Sequence, residues 1–401
     1  MTHAFLVDGV RTPIGRYGGA LSTVRPDNLA ALAIRNLIER SGLTDPTAID
    51  EVILGAANQA GEDNRNVARM ALLLAGLPDS IPGFTVNRLC ASGMTAVSTA
   101  AAMISSGQAD LVVAGGVESM SRAPWVMAKP EKAFGKPGEI ADTSIGWRFA
   151  NPAFADLDGG EATFSMSETA EKVARIDGVS RQDCDSFALG SHRKALAAIE
   201  AGRFTAEIVP VTVPGRRGDT VVATDESPRA DSTIEALGNL APVVAGGTVV
   251  TAGNASPLND GAAAIMVASE KAVETFGLAP RARVVASTAV GLAPSVMGLG
   301  PVGATEKALQ RAGWSLPDIG AIELNEAFAS QSLACIRRLG LDPEIVNNDG
   351  GAIALGHPLG CSGTRILVTL LGRMERADVR RGLATMCVGV GQGAALLVER
   401  V

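Results

Sequence analysis

One cysteine of the chain stands where a thiol can do chemistry. Cys90 follows a predicted strand, residues 84–87, and precedes a predicted helix, residues 91–106. The positive end of a helix dipole favours a thiolate, but it supplies only about 0.3 to 1 kcal/mol. Lowering a thiol pKa from about 8.5 to 7 requires roughly 2 kcal/mol. Cys90 is therefore either a nucleophile that needs a nearby proton acceptor or a small buried apolar residue.

The proton acceptor for this thiol must come from a small set, because the chain has only 3 histidines. His357 lies in the glycine-rich segment 348–363, where glycines let the backbone approach a ligand closely and Pro358 fixes the turn. A structural hydrogen bond is the other interpretation of His357. His3 belongs to the terminal segment and His192 to a charged helical segment, so we expect both to be solvated.

Two further polar groups stand at the ends of predicted strands, where α/β sheets hold their ligands. Cys387 lies in the glycine-rich run 386–393. Free backbone N–H groups of such a run form an oxyanion hole or a phosphate cradle, although a tight bend is an equal interpretation. Asn325 follows the predicted strand of segment 318–324, either as a site residue or as a helix N-cap.

The elements that must position these groups alternate between strand and helix, which predicts an α/β protein with a parallel sheet. Hydrophobic residues make up 47% of the 401 residues and aromatic residues only 3%. We therefore expect a core of Ala, Val, Leu and Ile with close backbone approach at some of the 46 glycines. The clearest elements occupy residues 4–10, 29–41, 51–55, 84–87, 91–106 and 111–116.

The order of the first half returns in the second half at a nearly constant offset, which predicts a duplicated α/β unit. The matching pairs are 48–54 with 318–324, 90–93 with 361–364, and 111–116 with 383–389. Residues 121–248 lack the alternating pattern and are predicted to form an inserted loop domain. One half then comprises residues 1–120 plus 249–275, and the other comprises residues 276–401.

Charge and composition exclude several classes of function. A net charge of -7 gives no overall attraction for nucleic acid or for an anionic membrane. The N-terminal segment lacks the basic head and apolar run of a signal peptide, and no apolar stretch of about 18 residues occurs, so we expect a cytoplasmic protein. An odd number of cysteines, 5, indicates free thiols rather than a disulfide framework. No bound metal ion is predicted.

Four short blocks, in this order, resemble the signature blocks of the thiolase family. They are Asn-Arg-Leu-Cys at 87–90, Asn-Glu-Ala-Phe at 325–328, Gly-His-Pro at 356–358 and Cys-Val-Gly at 387–389. With the similar stretches 11–15 and 253–256, the resemblance spans essentially the whole chain. It implies a duplicated α/β/α/β/α layered fold and an acyltransferase that uses coenzyme A as co-substrate, with no tightly bound cofactor. It also implies a homo-oligomer, dimer or tetramer, with residues 125–151 as a contact.

The resemblance also implies a role for each site residue. Cys90 attacks the 3-keto carbon of a 3-oxoacyl-CoA with help from His357, and free CoA later takes the acyl group from Cys90. Cys387 protonates the departing acetyl-CoA carbanion. Asn325 holds a water that joins His357 in one oxyanion hole, and the N–H groups of Cys90 and Gly389 form the other. Both steps develop negative charge on a carbonyl oxygen, which fixed donors stabilise.

By the same resemblance, coenzyme A is expected in the loop domain. Ser256 is predicted to lie near the pantetheine, and Arg229 to meet a phosphate. Met166, Met297 and Phe328 are predicted to line the thiol end of the site. The alternatives are core packing for the three apolar residues, a solvated charge for Arg229 and a plain turn residue for Ser256.

Within the family, the sequence favours one substrate class. Ser-Met-Ser at 165–167 replaces the His-Met-Gly of acetoacetyl-CoA enzymes, whereas stretches 55–69 and 143–149 resemble 3-oxoadipyl-CoA thiolases of aromatic catabolism. Their substrate ends in a second carboxylate, which is costly to bury unpaired. Arg148 is the predicted partner, with a surface or interface salt bridge as the alternative. An acetyl-CoA acetyltransferase and a fatty-acid 3-ketoacyl-CoA thiolase are the alternatives within the family.

Two other classes of function share the duplicated fold. A decarboxylating 3-oxoacyl synthase needs a cysteine with two histidines, or with a histidine and an asparagine. It would leave Cys387 without a role. A non-catalytic acyl-CoA carrier has no need to keep Cys90, His357 and Cys387 together. The thiolase interpretation accounts for all three.

Overall fold

The structure is a computed structural model that describes residues 2–401. Its strands are β1 (Ala4–Arg11), β2 (Gly15–Arg16), β3 (Glu51–Gly55), β4 (Gly83–Val86), β5 (Leu111–Ser119), β6 (Trp125–Met127), β7 (Ile140–Asp142), β8 (Val211–Val213), β9 (Thr220–Val222), β10 (Asn259–Ser269), β11 (Ala282–Gly291), β12 (Ala321–Leu324), β13 (Arg381–Val388) and β14 (Gln392–Arg400). Its α-helices are α1 (Pro26–Ser41), α2 (Val67–Leu74), α3 (Ser92–Ser105), α4 (Met166–Asp177), α5 (Arg181–Glu200), α6 (Ile234–Gly238), α7 (Glu270–Phe276), α8 (Gly300–Ala312), α9 (Ala329–Leu339), α10 (Ala352–Leu355) and α11 (Leu359–Arg376).

One large sheet runs in the order β12-β13-β14-β11-β1-β10-β5-β3-β4, and β2 pairs with β10. The pairs β3–β4, β3–β5 and β12–β13 are parallel, whereas the other pairs of the sheet are antiparallel. The predicted parallel sheet is therefore wrong for most of its length. The βαβ pattern identifies strands that a helix connects, but β13 and β14 are joined by residues 389–391 alone, which is too short for a parallel crossover.

Alternate residues of the strands face different helix layers. Val52 and Leu54 of β3 belong to the core formed with α1 and α2, whereas Ile53 belongs to the core around α3 and α11. In the second half, Ile322 of β12 packs with α8 and α9, and Ala321 joins the α3 and α11 core. The first-half strands therefore lie between α1/α2 and α3/α11, and the second-half strands lie between α3/α11 and α8/α9. The two ends of the sheet thus form two of five layers, with α3 and α11 in the centre. The predicted duplicated α/β/α/β/α layered fold is confirmed.

The first turns of α3 and α11 lie against each other because glycines allow it. A Cβ on Gly93 would lie 2.7 Å from the carbonyl oxygen of Gly360, and a Cβ on Gly363 would lie 2.3 Å from the backbone nitrogen of Met94. Since residues 93 and 363 exchange places across this contact, Gly360 is the residue of the second half that corresponds to Cys90. The turns that carry Cys90 and His357 thus lead into two helices that are fixed against each other.

The strand register confirms the same correspondence. Glu51 pairs with Val112 in the first half, and Ala321 pairs with Gly382 in the second. The predicted match of 48–54 with 318–324 fits this register, but the match of 90–93 with 361–364 is shifted by one residue. The match of 111–116 with 383–389 is shifted by two. Small apolar residues in these runs resemble one another at several offsets, so sequence similarity alone left the register unsettled.

Residues 120–258 lie outside the large sheet, and their strands form two separate two-stranded sheets, β6–β7 and β8–β9. Helix α5 of this region packs against α9 and α10 of the second half, next to the segment that carries His357. None of the helices within residues 2–401 combines the length and the hydropathy that a membrane span requires.

Candidate active site

Cys90 lies in a strained turn between β4 and α3. Leu89 has a φ of 46°, in the left-handed region that residues other than glycine rarely adopt. The Arg88 N–H donates to Ser92 Oγ at 2.9 Å, and the Ser92 hydroxyl donates to the Leu89 carbonyl at 2.6 Å. These bonds hold the turn so that Cys90, half-buried, lines a cavity of about 330 Å³.

The Cys90 thiol is neutral in the resting protein. Burial raises its pKa to about 11, and the N–H groups of Gly389 and of Cys90 itself oppose this shift. A helix dipole favours the thiolate, as expected from the sequence. The loss of hydration nevertheless raises the thiol pKa by more than the N–H donors lower it. The two N–H groups that approach the sulfur are those predicted to form an oxyanion hole.

His357 is a neutral imidazole held in one tautomer. Its Nδ1 lies 2.6 Å from Ser362 Oγ, and the Ser362 hydroxyl donates to the Pro358 carbonyl at 2.9 Å. Because that hydroxyl has one proton, it accepts from the Nδ1–H of His357, which leaves the lone pair on Nε2. Burial, and then the charge of Arg365, lower the pKa of His357 to about 3. The imidazole is thus in the form that accepts a proton.

Asn325 lies beside this lone pair. Its Nδ2 is 3.4 Å from Nε2 of His357, and its own N–H donates to the Thr385 carbonyl at 3.0 Å, which continues the β12–β13 pairing. Asn325 Oδ1 is buried and has no hydrogen-bond partner within residues 2–401. The N-cap interpretation is wrong, because α9 begins at Ala329 with Phe328 at its N-cap.

Cys387 is a second neutral thiol, at the end of β13. Burial raises its pKa well above the ordinary value, and the nearby Cys90 raises it further. Cys387 belongs to an apolar cluster with Met297 and Phe328, against which Met166 packs. The structure therefore brings Cys90, Cys387 and the three predicted apolar residues to one place.

Arg148 lines the same cavity as Cys90. Its Nη2 donates to the carbonyl oxygen of Asn58 at 3.1 Å and to Asn58 Oδ1 at 3.0 Å. In the described part of the chain, no carboxylate lies within ion-pair distance of this guanidinium, so the salt-bridge interpretation finds no partner within the chain. Sequence reasoning missed Asn58, although it lies in the stretch 55–69 that carried the resemblance.

Glu118 is a further residue of this cavity that sequence reasoning missed. Its Oε2 accepts from the N–H groups of Ala57 at 2.9 Å and Gly360 at 2.8 Å, and its Oε1 accepts from the N–H of Asn58 at 3.2 Å. Burial raises the pKa of Glu118 to about 7, against the effect of these donors. The available signal was a carboxylate at the end of an apolar run, residues 111–117.

A second cavity, of about 250 Å³, lies in the region of residues 120–258. It is lined by Arg229, which is exposed, and by His192, whose Nδ1 accepts from the Arg229 N–H at 3.2 Å. Ser256 follows one lining residue and precedes another, and its N–H donates to the Ala327 carbonyl at 2.9 Å, next to the apolar cluster of Cys387.

The expectation that His192 is solvated is wrong. Its side chain is buried at the second cavity, where the segment that carries Arg229 folds over it. Burial, and then the charge of Arg229, lower its pKa to about 4. Across residues 2–401, no three His, Cys, Asp or Glu side chains are grouped so as to hold a metal ion.

Comparisons with known proteins agree with this geometry. A model of the thiolase N-terminal domain matches residues 4–271, and a model of the thiolase C-terminal domain matches residues 278–400. The chain is 59% identical to beta-ketoadipyl-CoA thiolase of Pseudomonas aeruginosa, over 99% of both chains. It is 55% identical to 3-oxoadipyl-CoA/3-oxo-5,6-dehydrosuberyl-CoA thiolase of Escherichia coli K12, over 100% of both.

A solved structure extends the likeness to three dimensions. The acetyl-CoA acetyltransferase of Bacillus anthracis superposes with a TM-score of 0.92 at 42% identity, over 100% of this chain and 99% of that one. The match of both halves of the sequence and the layered architecture lead to one conclusion. The chain belongs to the thiolase family.

Proposed function

We propose that the chain cleaves 3-oxoadipyl-CoA with free CoA to give succinyl-CoA and acetyl-CoA. The observation that carries the proposal is one cavity that presents the Cys90 thiol and, elsewhere on its wall, the cationic Arg148 with no carboxylate partner in the described chain. The names of the Pseudomonas and Escherichia relatives, which refer to beta-ketoadipyl- and 3-oxoadipyl-CoA, support the same substrate.

The first half-reaction begins from two neutral groups. Cys90 gives its proton to Nε2 of His357 as its sulfur attacks the 3-keto carbon, so no free thiolate has to exist in the buried site. The N–H groups of Cys90 and Gly389, or Asn325 with His357, stabilise the negative oxygen that forms. The bond between C2 and C3 then breaks, and the acetyl-CoA carbanion takes its proton from Cys387.

The second half-reaction runs through the same groups in the opposite sense. The thiol of free CoA gives its proton to the Cys387 thiolate, and its sulfur attacks the acyl-Cys90 carbonyl. The Cys90 sulfur leaves and recovers the proton held by His357. Both thiols and the imidazole are then neutral again, so the enzyme returns to its starting state.

Arg148 is proposed to bind the terminal carboxylate of the acyl chain. Asn58 uses one nitrogen of the guanidinium, Nη2, so the other nitrogens remain to donate to an anion. A charge-assisted pair of this kind favours the carboxylate-bearing substrate by an amount that a neutral side chain does not supply.

Coenzyme A is proposed to enter through the second cavity. Arg229 would meet a phosphate and Ser256 the pantetheine, while Met166, Met297 and Phe328 would surround the thiol end. This assignment is supported by the position of Ser256 between the second cavity and the apolar cluster of Cys387. Residues 121–248 would thus act as the CoA-binding domain inserted between two catalytic halves.

Chromatography of the CoA thioesters tests the activity directly. The purified protein is expected to convert 3-oxoadipyl-CoA to equal amounts of succinyl-CoA and acetyl-CoA, and to do so repeatedly only when free CoA is present. Release of carbon dioxide instead would favour a synthase, and binding without conversion would favour a carrier; either result would overturn the proposal.

The role of Arg148 is tested by comparing two substrates. Arg148→Ala is expected to lower kcat/KM for 3-oxoadipyl-CoA roughly 10 to 100-fold, the range of a lost charge-assisted hydrogen bond, with little change for acetoacetyl-CoA. Arg193→Ala, on the exposed face of α5, is the matched control and should change neither value. Equal losses on both substrates would rule out carboxylate recognition.

We also infer that the protein assembles with copies of itself in the cytoplasm. The β6–β7 region exposes three large apolar side chains, those of Trp125, Phe134 and Ile140, which a contact with another copy would cover. All five cysteines are free thiols, as a reducing compartment requires. Light scattering of the purified protein distinguishes a dimer or tetramer from a monomer.

A further inference from the structure

Glu118 connects two loops that serve opposite ends of the cavity. Its carboxylate accepts from the N–H groups of Ala57 and Asn58, which follow β3 in the first half, and from the N–H of Gly360 in the second half. These partners lie about 60 and about 240 positions away along the chain. One buried side chain therefore links backbone segments of the two halves, which also pack closely against each other near Gly55 and Gly360.

Each of these loops supports a side chain of the proposed reaction, Arg148 in one case and His357 in the other. Asn58 is the residue on which the guanidinium of Arg148 rests, and its Nδ2 also donates to Thr143 Oγ1 at 3.2 Å. Gly360 lies in the first turn of α11, three residues after His357. A shift of either N–H group would therefore move either the cation at the acyl end or the imidazole at the sulfur end.

Glu118 forms its hydrogen bonds with backbone groups alone. Within the described residues it forms no ion pair, and the nearby charge that acts on it, Asp63, is of the same sign. A buried carboxylate in such a place is costly, so a purely structural link would be better made by an apolar contact. What an apolar side chain does not provide is three directed acceptor bonds.

We propose that Glu118 is a positioning residue that fixes the distance between the carboxylate-binding end of the cavity and the catalytic histidine. It does so by holding the N–H of Asn58 on Oε1 and the N–H of Gly360 on Oε2. The part of this inference that concerns Arg148 rests on the proposed function. The part that concerns His357 needs only the thiolase reaction.

The substitution Glu118→Gln separates the effect on Arg148 from the effect on His357. A glutamine has one acceptor oxygen, and it keeps most bonds when that oxygen faces Ala57 and Gly360. Its NH₂ group then meets the N–H of Asn58, two donors in opposition. The variant should therefore loosen the Asn58 backbone that holds Arg148, while the turn that carries His357 stays in place.

The expected result is a change of selectivity. Glu118→Gln should lower kcat/KM for 3-oxoadipyl-CoA roughly tenfold more than for acetoacetyl-CoA, the effect of one weakened interaction. In the Arg148→Ala background this extra loss should vanish, because the two changes act on one interaction. If the role of Glu118 were merely structural, the variant would lower kcat/KM alike for both substrates, and its effect would add to that of Arg148→Ala.

Glu171→Gln is the matched control. Glu171 also accepts three backbone N–H groups, those of Thr248, Val249 and Val250, but all on one oxygen. A glutamine oxygen can keep all three, so this variant should leave selectivity and turnover unchanged.

The effect of Glu118 on His357 is measured in the first half-reaction alone. Without free CoA, one equivalent of acetyl-CoA is released as Cys90 is acylated, and Glu118→Ala should slow this release about 100-fold with either substrate, as expected for a displaced catalytic group. Unchanged acylation in Glu118→Ala would overturn the proposal. If that variant does not fold, Glu118→Gln decides, and equal losses on both substrates there would also overturn it.

The two proposals fail in different ways. If Arg148→Ala leaves selectivity unchanged, carboxylate recognition by Arg148 is wrong, and the acylation rate of Glu118→Ala still decides the role of Glu118. If Arg148→Ala changes selectivity and Glu118→Gln does not, the function stands and the positioning role of Glu118 is wrong.

Discussion

The turns before the two central helices occupy the same place in the two halves of the fold and do different work. In the first half the turn presents Cys90 to the cavity. In the second half the corresponding residue is Gly360, whose N–H donates to Glu118, and the functional side chain, His357, stands three residues earlier. Ser92 and Ser362 hold the two turns by similar bonds to backbone carbonyls, so the scaffold is shared while the chemistry is not.

This difference shows how a duplicated fold makes one site from two halves. In the proposed mechanism the first half supplies the nucleophile and Glu118, whereas the second supplies the base and, at the ends of β12 and β13, Asn325 and Cys387. The comparison leads to four predictions, each of which sets a residue of one half against its counterpart in the other.

The largest effect is expected for the two cysteines nearest these turns. Cys90→Ala should lower turnover by about 10⁴-fold or more, because the acyl carrier is lost. Cys361→Ala should keep turnover near the original value, because Cys361 is buried, burial raises the pKa of its thiol to about 12, and Ala91 stands at the corresponding place of the first half. Steady-state thiolysis measures both, and a comparable loss in Cys361→Ala would contradict the assignment.

The two serines should differ next. Ser362→Ala removes the acceptor that fixes the His357 tautomer, so the lone pair is no longer held on Nε2, and turnover should fall roughly 10 to 100-fold, part of the usual contribution of a general base. Ser92→Ala loosens only the Cys90 turn and should cost a few-fold. The rate of Cys90 acylation in a single turnover separates them, and equal rates would show that tautomer control is unimportant.

The glycines of the helix contact should respond equally in the two halves. Gly93→Ala and Gly363→Ala each place a methyl group against backbone of the other helix, and each should lower the free energy of unfolding by about 1 to 3 kcal/mol, the usual cost of overpacking. Gly190→Ala within α5, where an added Cβ meets nothing within 4 Å, should raise it by roughly 0.5 to 1 kcal/mol. Denaturant unfolding measures all three, and a clear inequality between the first two would argue against the symmetric contact.

The last prediction concerns pH and needs no substitution. Because burial raises the pKa of Cys90 to about 11, its thiolate fraction should increase about tenfold per pH unit between pH 7 and 9. Alkylation by iodoacetamide in the absence of substrate should follow that increase without levelling off, and Cys361 should stay unlabelled in the folded protein. Mass spectrometry of the labelled peptides measures both sites. A plateau near neutral pH would show that the resting Cys90 is already a thiolate.

Much of the fold was predictable because strands and helices leave periodic patterns in the sequence. The βαβ units around β3, α3 and β5 follow from apolar periodicity, and the duplication follows from the return of that order. The direction of β10, β11 and β14 did not follow, since antiparallel and parallel strands buried on both faces have the same composition. Register was uncertain for a similar reason, because runs of Ala, Val and Gly match at several offsets.

The chemical groups of the site were determined by the sequence itself: a cysteine before a helix, a single histidine among glycines, and a cysteine and an asparagine at strand ends. The tertiary structure decided their protonation states, because desolvation depends on neighbours contributed by distant segments, as the neutral Cys90, His357 and Cys387 illustrate. It also decided that Glu118 meets Asn58 and Gly360, and that His192 is buried, since contacts between residues far apart in the chain leave no local pattern to read.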